Sequence, residues 1–263
     1  MKLYDFDGMF DEKLSEYIEK HAGKYKEEEW EDIIPELYKR FGDTPVKSLG
    51  KTPRRFYADM TAEELVRCLK AHLKQGVPVS EFLCSAIENS GASKLLIPLL
   101  DGSREECEYA MNLIGADKAV TRKYLSMLVE AQDEDMKNRC VDFIKENADE
   151  VSETALENYK NGTEPEYMLE ILSRVTQKND KIFNVLLNEF RGDAENIPMH
   201  ASYLAAYGDA RALPYLLDRI DGEEINFVEY QELKFAIEAL GGEYTKERDF
   251  SDDPYFKLVY PNG

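Results

Sequence analysis

Apolar side chains recur along this chain at helical spacing and at a fixed longer period. Before three turn-type pairs, Asp101-Gly102, Arg191-Gly192 and Asp221-Gly222, they fall at offsets −7, −6, −5 and −2 from the glycine. The residues are Leu95, Leu96, Ile97 and Leu100, then Val185, Leu186, Leu187 and Phe190, then Tyr215, Leu216, Leu217 and Ile220. These offsets gather on one side of a helix and cannot alternate as a strand does. After the turns a second series stands at +8, +11 and +12: Ala110, Leu113 and Ile114; Cys140, Phe143 and Ile144, counted from position 132; and His200, Tyr203 and Leu204. The unit at Gly222 keeps Tyr230 and Leu233 and then drifts. With Asn161-Gly162 included, the glycines stand 60, 30 and 30 residues apart, and Gln132-Asp133 fills the vacant slot. Each unit therefore reads as helix, tight turn, helix in about 30 residues, with an apolar face that only a stacked neighbour can cover. The unit at Gly162 fits worst, because Leu169, Ile171, Leu172 and Val175 are out of phase, which predicts an irregular or inserted repeat there.

Local signals agree with helices. Ser103 with Glu106 and Thr61 with Glu64 have capping-box spacing. Gly241-Gly242 can end the last helix. Two acidic helices are expected over residues 10–22 and 26–41, the second carrying a stripe of Trp30, Ile33, Ile34, Leu37, Tyr38 and Phe41 that Pro35 should kink or divide. Residues 42–59 have too much glycine and proline for a helix and are expected to form an ordered surface loop; the tail from Glu243 lacks helical periodicity.

The stretch YLAAYGDARALPYLLDRI, residues 203–220, resembles the junction between successive HEAT repeats: Gly208 and Asp209 sit in the turn, Ala212-Leu213 open the next helix, and Pro214 lies near its start. SKLLIPLLDGSREECEYAMNLIGAD, residues 93–117, is similar to a further unit turning at Asp101-Gly102-Ser103. The resemblance spans about residues 80–241. It implies an all-α fold, a right-handed α-solenoid of HEAT-like repeats, with residues 1–79 as an N-terminal helical cap and 242–263 as an irregular tail covering the far end. Such families include scaffolds, adaptors, chromophore lyases and DNA-repair glycosylases, so the fold alone names no chemistry.

Charge narrows the choice. Among 263 residues, 53 are acidic and 33 basic, a formal charge of −20. Nucleic-acid backbones are bound by Lys and Arg displacing counterions, so no nucleic-acid partner is expected. The longest notable apolar run, Leu95–Leu100, is far below the roughly 20 residues that span a bilayer, and the acidic start does not resemble a signal peptide. A cytoplasmic protein with no membrane partner is the expectation. Cys68, Cys84, Cys107 and Cys140 form no CxxC or Cys/His ligand set and read as free thiols.

Candidate chemistry is sparse. His200 occupies the slot filled by Ala110, Cys140 and Tyr230, which points to packing between helices; His21 and His72 lie near helix C-termini, where an imidazolium is favoured by the helix dipole. Cys68 stands four residues before His72, a spacing open to a thiol–imidazole pair but also common in plain helix cores. No GxSxG, P-loop, GxGxxG or HExxH pattern is present, so no catalytic residue, metal ligand or cofactor is assigned. DEDMKNRC and DFSDDP lack the glycine and terminal glutamate of an EF-hand loop. Arg191-Gly192-Asp193 spells an adhesion tripeptide but falls in the repeat's own turn slot.

Two charged clusters remain. Glu27, Glu28 and Asp32, with the neighbouring Glu29 and Glu31, and the group Asp249, Asp252 and Asp253, read either as solvated faces or as docking points for a basic partner. Lys47, Lys51, Arg54 and Arg55 make a basic island that could bind a phosphate or acidic ligand, or fold back on the chain's own acidic helices and close the N-terminal end. The leading expectation is a non-enzymatic interaction or scaffold module whose partner is another, basic, protein. The alternative is an enzyme on the same scaffold, of lyase or base-excision glycosylase type, with Arg54, Arg55, Trp30 and a carboxylate converging near the basic loop.

Overall fold

The computed structural model describes residues 2–260, and these are all-helical: sixteen α-helices joined by turns and 3-10 segments, with a single isolated bridge between Val46 and Lys51 in place of any strand. None of the described helices is long and apolar enough to cross a membrane. The chain divides into two compact units, Met1–Gly115 and Ala116–Gly263.

In the first unit, α1 (Phe6–Lys20) lies against α2 (Trp30–Gly42), and α3 (Pro53–Ala58), α4 (Ala62–Gln75), α5 (Glu81–Asn89), α6 (Ser93–Leu96) and α7 (Arg104–Ile114) follow. The core is aromatic at the α1 end, where Phe6 packs edge-on against Phe56 and Tyr57 and Phe10 against Tyr38. Tyr38 in turn stacks on Phe82, centroids 4.7 Å apart. Gly42 is required at the end of α2, because a Cβ there would meet the Phe82 ring at 2.6 Å and the Arg54 Nε at 2.8 Å.

Three expectations change here. Residues 42–59 are not all loop: α3 occupies 53–58, started by Pro53 in the first helical turn and by Thr52, whose hydroxyl accepts from the Arg55 amide. Proline at that position loses no helical hydrogen bond, so the feature that argued against a helix begins one. Helix α2 runs through Pro35 unbroken, since the carbonyl that Pro35 leaves free belongs to exposed Glu31 in the first turn; a 3-10 turn, Glu27–Glu29, precedes it. The tail also holds a helix, α16 (Pro254–Val259), capped by Asp253.

The second unit continues with helix pairs: α8 (Thr121–Glu130) and α9 (Glu134–Lys145), α10 (Ser152–Lys160) and α11 (Pro165–Ser173), α12 (Asp180–Gly192) and α13 (Ile197–Tyr207), α14 (Leu213–Ile220) and α15 (Phe227–Ala239). Members of each pair pack together, and the second helices pack in series, α9 on α11, α11 on α13, α13 on α15. The sequence register explains this. Wherever the offsets repeat, −6 and −2 are buried before the turn (Leu96, Leu100, Leu186, Phe190, Leu216, Ile220), and +8 and +12 after it (Ala110, Ile114, Cys140, Ile144, His200, Leu204). Offset −7 is less covered, with Leu95 and Tyr215 exposed and Val185 half-buried. No insertion marks the unit at Gly162. Its second helix, α11, buries Met168, Leu169, Ile171 and Leu172, and a helix covered on most sides shows little amphipathic phase.

Polar contacts repeat with the same period. Thr176 and Gln177 amides donate to Asp149 at 2.9 and 3.1 Å; the Asn179 amide donates to the Tyr207 hydroxyl at 2.7 Å; Arg211 pairs with Asp180 at 2.8 Å; Lys145 pairs with Glu170 at 2.7 Å; Asn147 donates to the Ala116 carbonyl at 2.8 Å. Each joins groups 25 to 31 residues apart: Lys145–Glu170 and Arg211–Asp180 tie one pair to the next, whereas Tyr207–Asn179 ties the end of α13 to the start of α12 within a pair.

Candidate functional site

The basic island is assembled but largely self-neutralised. Lys51 reaches Asp59 at 2.9 Å and Arg55 reaches the same carboxylate at 3.2 Å, holding Asp59 below the usual carboxylate range chiefly through the Lys51 hydrogen bond. Arg54 faces Asp43 at 3.5 Å and lies over the Phe82 ring, 5.1 Å from its centroid. Lys47 is exposed. A recess of about 420 Å³ beside Arg54 is walled by Tyr57, Leu65 and Phe82, and neither Arg55, Trp30 nor any carboxylate lines it. Trp30 instead stands edge-on to Tyr17 and Tyr25. The constellation expected of a glycosylase-like site is therefore not brought together.

Glu27, Glu28 and Asp32 are all exposed, the first two on the 3-10 turn and Asp32 in the first turn of α2. Their charge favours the helix N-terminus. None of the three forms an ion pair among the described residues, which leaves their oxygens open to an incoming cation.

The histidines are structural. His200 is buried and its Nε2 meets Asp193 at 3.2 Å. Asp193 is further tied by the Asn196 side chain at 2.8 Å and the Glu195 amide at 3.0 Å; the Asn196 and His200 hydrogen bonds pull its carboxyl down to about 2. The adhesion-like tripeptide thus has its aspartate consumed. His72 lies in the last turn of α4, as its position in the sequence predicts, and is fully buried, its Nδ1 donating to the Pro78 carbonyl at 2.8 Å. His21 caps α1, stacked on Tyr17. Cys84 is half-buried, and burial pushes the thiols of Cys68 and Cys84 up to about 11, opposite to what a nucleophile needs. No group of His, Cys, Asp or Glu among the described residues has metal-site geometry.

The end of the second unit carries a surface that periodicity did not reveal. Phe227 of α15 is the anchor, with Phe250, Phe256 and Tyr260 all edge-on to it at 5.2–6.2 Å. Asp253 fixes the join: its carboxylate accepts from the Phe227 amide at 2.9 Å and from the Tyr255 amide at 2.8 Å, and the Phe227 bond leads in lowering its pKa. With Phe256 turned inward, Tyr255, Leu258, Val259 and Tyr260 are left outside, Leu258 77% exposed and Val259 60%. On α15, Phe235 is 62% exposed. The adjoining recess, about 710 Å³, is lined by Arg219 and five carboxylates. Several of these are committed to structure: Asp253 as above, Asp249 to the Ser251 amide, Glu229 to Asn226 and Arg219. They form no paired acid and base. Residues 221–260 hold eleven acidic and four basic side chains. Single-sequence periodicity misses this surface because α16 is only six residues long; the signal available was the Asp-Pro start followed by Tyr, Phe, Leu, Val and Tyr.

Comparison with protein-family models, with curated proteins and with solved structures finds no match for this chain.

Proposed function

We propose that the protein is a non-enzymatic interaction module, in which the helix pairs are HEAT-like repeats of a right-handed α-solenoid and the α15–α16 end of the second unit binds a basic, amphipathic segment of another protein. The observation that carries this reading is the exposed apolar group Tyr255, Leu258, Val259 and Tyr260 within a segment of strongly negative charge. Apolar surface of this kind favours a covering partner, and the surrounding charge selects a cationic one. A second copy of the chain would set negative charge against negative. Contacts between successive pairs, Lys145 with Glu170 and Arg211 with Asp180, support the solenoid. On the first unit, Glu27, Glu28 and Asp32 offer the same chemistry as secondary contacts.

The test is fluorescence anisotropy with a labelled helical peptide of alternating Leu and Lys faces, against a Leu/Glu peptide of the same pattern. The Leu/Lys peptide should bind, and binding should weaken between about 50 and 300 mM salt as exposed charges are screened. The charge-neutral variant Leu258→Ser/Val259→Ser should lose tenfold or more, since re-burying two such side chains contributes at least about 1.4 kcal/mol. Equal binding by the variant, or no preference over the Leu/Glu peptide, would rule the reading out.

A further inference from the structure

Between α1 and α2 lies a cavity of about 240 Å³ whose walls are Phe10, Leu14 and Tyr17 on one helix and Leu37 and Phe41 on the other. Two cations, Lys13 and Arg40, line its solvent-facing side and both are exposed. Lys13 Nζ sits 5.0 Å from the centroid of the Phe41 ring, so its charge is held against the apolar wall. Neither Lys13 nor Arg40 is ion-paired to a carboxylate among the described residues, in contrast to Lys51 and Arg55 of the same unit, which share Asp59. Three of the five walls are aromatic, and the volume lies below the roughly 300–1,000 Å³ of a drug-sized site. The chemistry that fits is a flat apolar body of one or two fused rings bearing one anionic group.

We infer that this cavity is a binding site for a small aromatic carboxylate, its ring between α1 and α2 and its carboxylate between Lys13 and Arg40. The guanidinium of Arg40 presents paired donors that match a carboxylate's two oxygens, and the ammonium of Lys13 adds a second, less directional charge. A phosphate-rich ligand such as a nucleotide is excluded by the small volume and by only two cations on a chain of charge −20. Sequence periodicity does not show the site, because Lys13 and Arg40 are 27 positions apart and each reads as ordinary helix surface. The inference is independent of the peptide-binding proposal, which concerns the other unit.

The experiment is isothermal titration of the full chain with naphthoate, compared with the neutral naphthamide, on wild type, Lys13→Gln/Arg40→Gln and Lys70→Gln/Lys74→Gln. The last pair makes the same charge change at exposed positions of α4. Expected are one saturable site for naphthoate with Kd of about 1 mM or tighter, at least tenfold weaker binding by Lys13→Gln/Arg40→Gln and by naphthamide on wild type, and less than a twofold change in Lys70→Gln/Lys74→Gln. Both substituted pairs are exposed, so folding is retained. The inference is overturned by absence of saturable binding, by equal affinity for the amide, by insensitivity to Lys13→Gln/Arg40→Gln, or by an equal loss in the Lys70/Lys74 variant, which would assign the effect to bulk charge.

Discussion

Replacing Tyr207 by Phe removes a single oxygen and tests whether the polar tie between the end of α13 and the start of α12 stabilises the second unit. The ring is fully buried at the end of α13. Its hydroxyl accepts from the Asn179 amide at 2.7 Å and donates to the Asn179 carbonyl at 3.1 Å, so one atom serves both main-chain groups of the residue that caps α12. Lys178 lies over the ring, 4.2 Å from its centroid, and donates to the Tyr207 carbonyl. A net hydrogen bond contributes about 1 kcal/mol, and a stranded, poorly hydrated peptide group costs about 1–3 kcal/mol. Asn179 is exposed as a residue, so water compensates in part, and the sum comes to about 2 kcal/mol. In urea unfolding this should appear as a lowered midpoint at unchanged slope, and in thermal unfolding as a fall of roughly 4–8 °C. Native-state hydrogen exchange gives the local check, because the Asn179 amide should lose protection before the core of α13 does. Tyr215, whose hydroxyl has no such role and whose side chain is 39% exposed, is the control: its Phe variant should stay within about 0.5 kcal/mol of wild type. If Tyr207→Phe is no more destabilising than Tyr215→Phe, the hydrogen bonds that join α13 to the start of α12 contribute nothing measurable.

Two further outcomes are expected. Asp193 is held at about 2, against an ordinary value of 3.8, by its Asn196 and His200 hydrogen bonds. A depressed folded-state value means that this contribution is complete above about pH 4 and disappears as pH falls through about 2, so the Tm gap between wild type and Asp193→Asn should be constant at higher pH and close within that window; a gap unchanged down to pH 2 would contradict the assignment. At the end of α4, Gly76 has φ +62° and open space around a new Cβ, so Gly76→Ala should cost about 1 kcal/mol through backbone conformation alone, whereas Gly192→Ala, equally open but outside the left-handed region, should be neutral or slightly stabilising in urea titrations.

The register of buried positions was legible from the sequence because burial at −6, −2, +8 and +12 restricts those positions to residues that can be enclosed, and His200 obeys the same constraint as Ala110 and Cys140. The capping boxes at Thr61 and Ser103 form as their spacing predicts. What stayed hidden has two causes. Helices α3 and α16 are six residues each, too short for a period to show, and proline in the first turn disguises their start. The second cause is distance along the chain. Asp149 and Thr176, or Tyr207 and Asn179, meet only once helices have been placed side by side, Lys13 and Arg40 come to line one recess only then, and no local pattern distinguishes them from solvated neighbours. The basic island shows the converse: its four residues were easy to see, while Asp43 and Asp59, which engage three of them, lay unremarked in the same stretch.

The serial packing of α9, α11, α13 and α15 also bears on how the second unit folds. Each pair needs only the pair before it, about 30 residues away, and nothing described in these contacts requires the first pair to find the last before the middle is formed. Closing a loop of about 120 residues instead of 30 would add roughly 1.2 kcal/mol of chain entropy, two doublings at about 0.6 kcal/mol each. The ordered chain avoids that barrier at every step. With contacts this local, folding of the second unit should be fast for its length, its rate following the stability of the best-packed adjacent helix pairs.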